Sequence, residues 1–554
     1  MTDTLRISLA QLNPTVGAVA ANAELVRAAR RRAAADSADL VMLTELFLAG
    51  YPPEDLVLKP DFQDACREAT EQLAAETADG GPAVLLGTPW VEEGKLYNAV
   101  CLLDGGRIAA TRFKTDLPNY SVFDEKRVFT AAPPQKPVSF RDVRIGLPIC
   151  EDIWTPAVTD GLAAAGSDIL LVPNGSPYEH DKQHRRYDLV HARVRETAAP
   201  AAYVNQLGGQ DELVFDGASF VVNADGTVAL QMPAFREHQV TTTWRRVGNN
   251  GWRCEPGELA RLPEELESIY QAMMLGLRDY VNKNRFPGII LGLSGGIDSA
   301  LSAAVAVDAL GADRVRAFML PSPYTSRDSV EDAAKCAKLL GIVHDSVSIE
   351  PAMRAFNDAL RDVFAGRPKD VTEENIQSRI RGVSLMAISN KLGHMLLTTG
   401  NKSEMSVGYA TLYGDMCGGF SVLKDIYKVM VYRLSGWRNR SKPEGGLGPS
   451  GPVMPERVIT KAPTAELKEN QTDQDTLPPY EVLDGILECL IEHEMPVEDI
   501  VARGFDRATV TRVWRMLDLA EYKRRQAPPG VKITSRAFGR DRRYPITNGF
   551  RARS

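Results

Sequence analysis

The sequence is short of several residue types and patterns, and each shortage excludes a class of protein. Its seven cysteines are odd in number, widely spaced and contain no CxxC pair, which argues against a disulfide framework and for a reducing compartment. Histidine is scarce, at seven residues. His180, His184 and His191 share a polar segment without a carboxylate at a zinc-binding offset, and HExxH is absent. No window of about 18 residues is free of charge or turn formers, and MTDTLRISLAQLNP has no basic region leading into a long apolar run. The expectation is a cytoplasmic chain without membrane contact, in which Asn174-Gly-Ser176 is no working glycosylation site. A net charge of −7 argues against general nucleic-acid coating.

What is present is a large globular chain: 554 residues, 44% hydrophobic and 25% charged, enough for more than one core. Up to about Val240 it repeats short β-branched runs (LRISLA, DLVML, AVLLG, VRIGLPI, DILLVP) between Ala/Arg/Glu-rich helical stretches. From Glu264 buried strands alternate with longer helices: GIILGLS, VRAFMLP, the run from Glu373 to Leu392, then HMLLTTG. That order predicts an α/β fold with a parallel, doubly wound sheet and ligand loops after Leu293, Leu320 and Leu397. The spacing places one domain over 1–250, a Gly/Pro/Asn-rich linker over 251–263 and a second domain over 264–554. Residues 442–455 read as a mobile loop, and the GxGxxG match at Gly446 inside it lacks the strand and helix that would hold a pyrophosphate.

Residues 288–307 combine a buried strand, a Ser-Gly-Gly turn and a helix start. Adjacent glycines let successive N–H groups turn toward one anionic cluster, and the helix N-terminus adds its positive end. Asp298 beside a phosphate calls for a cation such as Mg²⁺ between them. Ser294 to Ser299 carry the SGGxDS signature, so this half resembles the N-type ATP pyrophosphatases, which pass AMP to a substrate oxygen and release pyrophosphate. Downstream, Glu374-Asn375 to Arg381, Thr398-Thr-Gly-Asn-Lys-Ser-Glu404, Tyr413-Gly-Asp415, Lys428, Thr460 to Leu467 and Tyr522-Lys523-Arg524 resemble the NAD synthetases in order and spacing. The resemblance implies that Gly292, Leu293, Ser294, Gly295, Gly296, Ile297, Asp298, Ser299 and Thr399 bind ATP. It implies that Asn375, Arg379, Arg381, Glu404, Asp415 and Lys523 serve deamido-NAD. Asp298 and Glu404 would ligate Mg²⁺, with Glu404 also open to a dinucleotide contact.

In the first half, Glu45, Lys114 and Cys150 sit at or just after apolar strands. A thiol that loses its proton to a carboxylate, beside a lysine that favours the thiolate and the oxyanion, is a workable nucleophile set. FKTDLPNYSVFDEKRVF and ICEDIW resemble the glutaminase branch of the nitrilase superfamily, although Thr44 stands where a proline often precedes the glutamate. The resemblance implies an α-β-β-α sandwich with Glu45 as general base, Lys114 as stabiliser and Cys150 as nucleophile. Tyr120, Ser176 and Lys182 would hold glutamine, with Glu125 and Trp154 supporting the pocket or, for Trp154, merely packing the core.

Together the halves resemble amidotransferases that join a nitrilase-type glutaminase to an NAD synthetase, implying glutamine, ATP and deamido-NAD as substrates, Mg²⁺ as cofactor and a homo-oligomer. Two alternatives stay open: an ammonia-only synthetase with a non-catalytic first half, and another SGGxDS amidotransferase. Residues 523–554 hold ten Lys/Arg against the single acid Asp541; this tail is expected to clamp an anionic dinucleotide or a neighbouring subunit, and not to bind nucleic acid.

Overall fold

The computed structural model describes residues 3–248, 251–469 and 471–550. The chain divides into two compact units, Met1–Glu264 and Glu265–Ser554.

In the first unit the period-two pattern of the strands sorts side chains into layers. Ile7 and Leu9 of the strand Thr4–Gln11, Leu40 and Met42 of Leu40–Met42, and Leu85 of Ala83–Glu92 point into one core. Ile145, Ile169, Leu171, Ala202 and Val204 of a second sheet meet them there. The alternate residues Ala10, Val41, Val84 and Leu86 face the helices Val19–Ala35 and Pro60–Glu76. Leu170, Val172, Ala201 and Tyr203 likewise face Pro156–Ala164 and Lys182–Thr197. The result is a helix, sheet, sheet, helix sandwich, with seven strands in one sheet and six in the other. A slip of one residue would turn every one of these side chains to the wrong layer, so the pattern fixes the register.

Residues 251–254 correct the linker expectation: Gly251–Cys254 is the edge strand of the seven-stranded sheet, paired antiparallel with His238–Val247. Only Trp252 and Cys254 of this short strand are buried, too brief an alternation to stand out from its Gly and Asn neighbours.

The second unit is built on a parallel sheet in the order Val343–Ser346, Val315–Met319, Ile289–Gly292, Met395–Thr398, Phe420–Ser421. The chain starts at the central strand Ile289–Gly292, winds outward, then returns to its other side at Met395–Thr398. The loops leaving these two strands therefore diverge, and a crevice opens at their carboxyl ends. Ile290, Phe318, Leu320 and Leu396 pack one face with Ile380 of the helix Val371–Leu392. The helices Tyr480–Ile491 and Arg507–Leu519 form a further core with Met405 and Val407.

One expectation is corrected here, and the basic tail, whose residues 551–554 lie outside the described residues, shows pairings of its own. The loop 442–455 is pinned rather than mobile: Leu447 N donates to Asp308 O (2.9 Å), Arg438 Nη2 to Pro449 O (2.8 Å) and Val453 N to Asn439 Oδ1 (2.9 Å). Buried Arg438 is itself paired with Asp308 at 2.6 Å, an anchor distant in sequence. The basic tail turns onto its own unit. Lys532 pairs with Asp541 (2.9 Å) and Arg542 with Glu521 (3.1 Å), which also takes Arg524. These cations are neutralised by carboxylates nearby in space. Among the described residues, no helix is long and apolar enough to cross a membrane.

Candidate active sites

In the first unit, the ends of several strands converge on a buried ion cluster. Lys114, fully buried after the strand Arg107–Phe113, donates to Glu45 Oε1 at 2.7 Å and to both oxygens of Glu125 at 2.9 Å. Glu45 also accepts from Asn98 Nδ2 (2.8 Å) and from Gly175 N (2.9 Å). A Cβ at Gly175 would lie 2.7 Å from the Tyr51 ring and 3.1 Å from Glu45 Oε2, so only glycine brings that N–H so close. Two carboxylates sharing one ammonium satisfy charges that burial alone would make very costly.

Cys150 opens the short helix Cys150–Ile153 with φ of 47°, a left-handed conformation that costs a non-glycine residue about 1–3 kcal/mol. Asp152 holds that turn: its carboxylate accepts from Ile149 N (3.0 Å), Thr115 N (3.0 Å) and Asp116 N (2.7 Å). It thereby ties the segment carrying Cys150 to the segment carrying Lys114, although burial pushes it up to about 7. Burial, then the charge of Glu45, pushes the Cys150 thiol well above its ordinary range, with Lys114 opposing. The resting group is a thiol beside a carboxylate able to take its proton. Burial acts downward on Lys114, but Glu125 and Glu45 more than offset it and hold the ammonium charged.

The other expected residues of this unit lie as follows. Glu125 bonds Lys114 and accepts from Tyr51 OH (2.8 Å), so it supports the site through the lysine. Trp154 packs on the core of the second sheet, with Arg185 5.7 Å above its ring. The Ser176 hydroxyl is buried and accepts from Arg186 Nε (3.3 Å). Lys182 lies 6.0 Å over the Phe123 ring. Tyr120, 52% exposed, donates to Glu151 at 3.0 Å. Sequence reasoning passed over Tyr51, Asn98, Glu151 and Asp152; only the last two, adjoining Cys150, carried a local signal.

In the second unit a cavity of about 300 Å³ opens at the switch point of the parallel sheet. It is lined by Gly292, Leu293, Ser294, Gly296, Ile297, Asp298 and Ser299, and by Leu320, Leu397 and Thr399 from the neighbouring strand ends. The turn is braced from within: Ser294 N donates to Ser299 Oγ (3.2 Å), Ser299 Oγ to Gly296 O (2.9 Å) and Gly296 N to Ser294 Oγ (3.2 Å). Gly295 does not line the cavity. Its φ is 79°, and a Cβ there would stand 2.2 Å from Ser329 O, so glycine is what lets the turn pass under the next helix.

Arg381, Glu404 and Asp415 also line the cavity, with Lys428, Lys461 and Asp473. Lys428 is buried between the two expected metal ligands: its ammonium bonds Asp298 Oδ2 and lies 3.3 Å from Glu404 Oε1. Burial pushes Glu404 up to about 8 against the pull of Lys428. Asn375, Arg379 and Lys523 do not reach the cavity. Together with Asp415 they brace the segment 408–415. Thr411 Oγ1 donates to Asn375 (3.0 Å), Arg379 Nε to Leu412 O (3.2 Å), Lys523 Nζ to Gly408 O (2.7 Å) and Ala410 O (2.6 Å), and Thr411 N to Asp415 (2.6 Å).

A four-layer sandwich holding a cysteine, a glutamate and a lysine at its strand ends, in one chain with a parallel sheet that carries an SGGIDS turn at its switch point, defines a two-unit enzyme of the carbon–nitrogen ligase class. Residues 6–248 match the carbon-nitrogen hydrolase family and residues 269–527 the NAD synthase family. The chain is 53% identical to the glutamine-dependent NAD(+) synthetase of Rhodobacter capsulatus over all of both chains. It is 43% identical to that of Thermotoga maritima, over 99% of each. Among solved structures, the glutamine-dependent NAD+ synthetase of Acinetobacter baumannii, in complex with adenosine diphosphate, covers 100% of both chains at 41% identity and a TM-score of 0.78. The chain belongs to the family of glutamine-dependent NAD(+) synthetases.

Proposed function

We propose that the chain converts deamido-NAD, ATP, glutamine and water to NAD, glutamate, AMP and pyrophosphate. The observation that carries this reading is the presence in one chain of a buried Cys150, Glu45 and Lys114 cluster and of a cavity built on the SGGIDS turn.

In the first unit Cys150 Sγ attacks the side-chain amide carbon of glutamine as its proton passes to Glu45. Lys114 keeps Glu45 oriented and offsets the negative charge that develops on the amide oxygen. Glu45 returns the proton to the departing nitrogen, and ammonia leaves a γ-glutamyl thioester. Glu45 then takes a proton from water, which cleaves the thioester to glutamate and restores the thiol.

In the second unit the N–H groups of the 294–299 turn and the start of the helix Ile297–Leu310 receive phosphate oxygens. The nicotinate carboxylate of deamido-NAD attacks the α-phosphorus, pyrophosphate leaves, and ammonia displaces AMP from the acyl adenylate. Ammonium has no lone pair to attack with, so the ammonia has to arrive unprotonated. Asp298 and Glu404, hard oxygen donors already gathered on one cation, would hold Mg²⁺. When bound, the metal neutralises charge on the phosphates. Lys428 and Lys461 meet the remaining anionic oxygens. Asn375, Arg379, Asp415 and Lys523 act on the dinucleotide through the segment 408–415 that they hold. The family likeness supports a homo-oligomer, to be checked by sedimentation.

The test is to incubate the protein with deamido-NAD, MgATP and glutamine. NAD, AMP and glutamate are expected in equal amounts, and ADP in place of AMP would overturn the adenylate route.

A further inference from the structure

The helix Lys402–Val407 has six residues, too few to hold a place on its own, yet it carries Glu404 to the cavity wall. Asn401 caps it, accepting from Glu404 N (3.0 Å), and its Nδ2 reaches across to Asp298 Oδ1 (2.9 Å). The two carboxylates that face Lys428 therefore depend on whatever fixes this helix. Much of what fixes it comes from residues 524–538. Lys402, fully buried at the first position, donates from Nζ to Thr534 Oγ1 (2.7 Å) and Arg536 O (2.8 Å), and pairs with Asp425 (2.7 Å) and Glu492 (2.5 Å). Asp425 accepts in turn from Ile533 N and Thr534 N, at 2.7 Å each, and from the buried Thr534 hydroxyl at 3.0 Å. At the far end of the helix Arg524 Nη1 donates to Ser406 O (2.7 Å). The buried Phe538 ring faces both cations, with Arg524 at 4.9 Å and Lys402 at 5.8 Å.

Thr534 and Arg536 lie beyond residue 527, where the match to the NAD synthase family ends, and they have no part in the steps proposed above. We infer that Thr534 is a positioning residue for nucleotide binding: its hydroxyl, shared by Lys402 and Asp425, docks the segment 530–538 on the helix Lys402–Val407 and so sets Asn401 and Glu404 at the ATP cavity. This rests on the proposed adenylation in the second unit and assigns the C-terminal segment a role in it. A hydrogen bond to a charged group changes an equilibrium by roughly 10- to 100-fold, and a displacement of about 1 Å in a site has consequences of similar size. Coupling between two places in one chain is reciprocal. If the docked segment favours ATP, bound ATP favours the docked segment.

The test uses two variants of the full chain. Thr534→Val keeps the shape and loses the hydroxyl, whereas Thr534→Ser keeps the hydroxyl and loses a methyl group. In titration calorimetry with MgATP and no deamido-NAD, Thr534→Val should raise the Kd for ATP roughly 10-fold at unchanged stoichiometry, and Thr534→Ser should stay near wild type. AMP formation at subsaturating ATP should fall in parallel with glutamine or ammonia, while hydrolysis of glutamine alone holds steady. An unchanged Kd in Thr534→Val, with or without a loss of stoichiometry, would overturn the inference, because Thr534 would then serve folding alone. A larger rise in Thr534→Ser than in Thr534→Val would overturn it too, since packing would be what matters. If Thr534→Val does not fold, wild type decides: saturating MgATP should slow amide exchange at Ile533 and Thr534 roughly 10-fold, and no change overturns the inference. Failure of wild type to bind ATP at all would instead sink the adenylation reading itself, and this inference with it.

Discussion

Each unit buries a lysine between two carboxylates, and the two arrangements differ in what surrounds them. Lys114 lies between Glu45 and Glu125 with all three groups buried, and its partners are fixed further by Asn98, Gly175 and Tyr51. Lys428 lies between Asp298 and Glu404 on the wall of a cavity, and these carboxylates keep 18% of their side-chain surface exposed. The closed triad is shut off from water, so its charges are met chiefly by one another, beside a thiol. The open one can exchange its charge balance with incoming phosphate and metal. A lysine between two carboxylates therefore suits proton transfer in one unit and anion binding in the other, and solvent access makes the difference.

The largest effect expected from breaking this contrast is at the nucleophile. Cys150→Ala should abolish glutamine-driven NAD formation by more than about 10³-fold while leaving ammonia-driven formation intact. If glutamine still serves, the closed site is not the source of nitrogen. Replacing each lysine separates the two sites by stability. Lys114→Met leaves two buried carboxylates without a cation and should lower unfolding free energy by about 3–5 kcal/mol in denaturant titrations. Lys428→Met should cost only about 1–2 kcal/mol, because cavity water reaches its carboxylates, and should impair AMP formation with either nitrogen source. Equal losses of stability would show that openness is not what distinguishes them.

Gly295→Ala sharpens the account of the open site. The strained φ and the contact with Ser329 O should slow AMP formation roughly 30-fold with glutamine or ammonia alike, measured at saturating substrates. The smallest effect is a pH profile. Because burial and Glu45 raise the Cys150 thiol, its alkylation by iodoacetamide should climb with pH without levelling off by about pH 9. Glu45→Gln removes the opposing charge and should move that profile to lower pH. The sign for stability is opposite. Above the ordinary thiol value the unfolded chain releases a proton that the folded chain keeps, so this group lowers stability as pH rises.

The strands and helices were legible because they rest on local patterns, whereas the layered sandwich they build was implied only by the resemblance. Ile7 and Leu9, like Leu40 and Met42, lie two positions apart in runs of apolar residues, as in a buried strand. The SGGIDS turn was legible for the same reason, its bonds lying within residues 294–299. The edge strand Gly251–Cys254 was not, since two buried residues make no period. Nor was the loop 442–455, whose composition says mobile while Arg438, Asn439 and Asp308 hold it still.

The sequence by itself determined most of the elements, which residue types could do nitrogen and phosphate chemistry, and where the SGGIDS turn lies, because those depend on neighbours a few positions apart. Tertiary structure alone decided the partnerships. Glu125 and Glu45 share Lys114, Asp152 ties the segment of Cys150 to that of Lys114, Lys428 occupies the space between Asp298 and Glu404, and Arg542 and Lys532 of the basic tail pair with Glu521 and Asp541. Burial turns such pairings into large energies, and which groups are buried together is set by strand order and layer packing, not by distance along the chain.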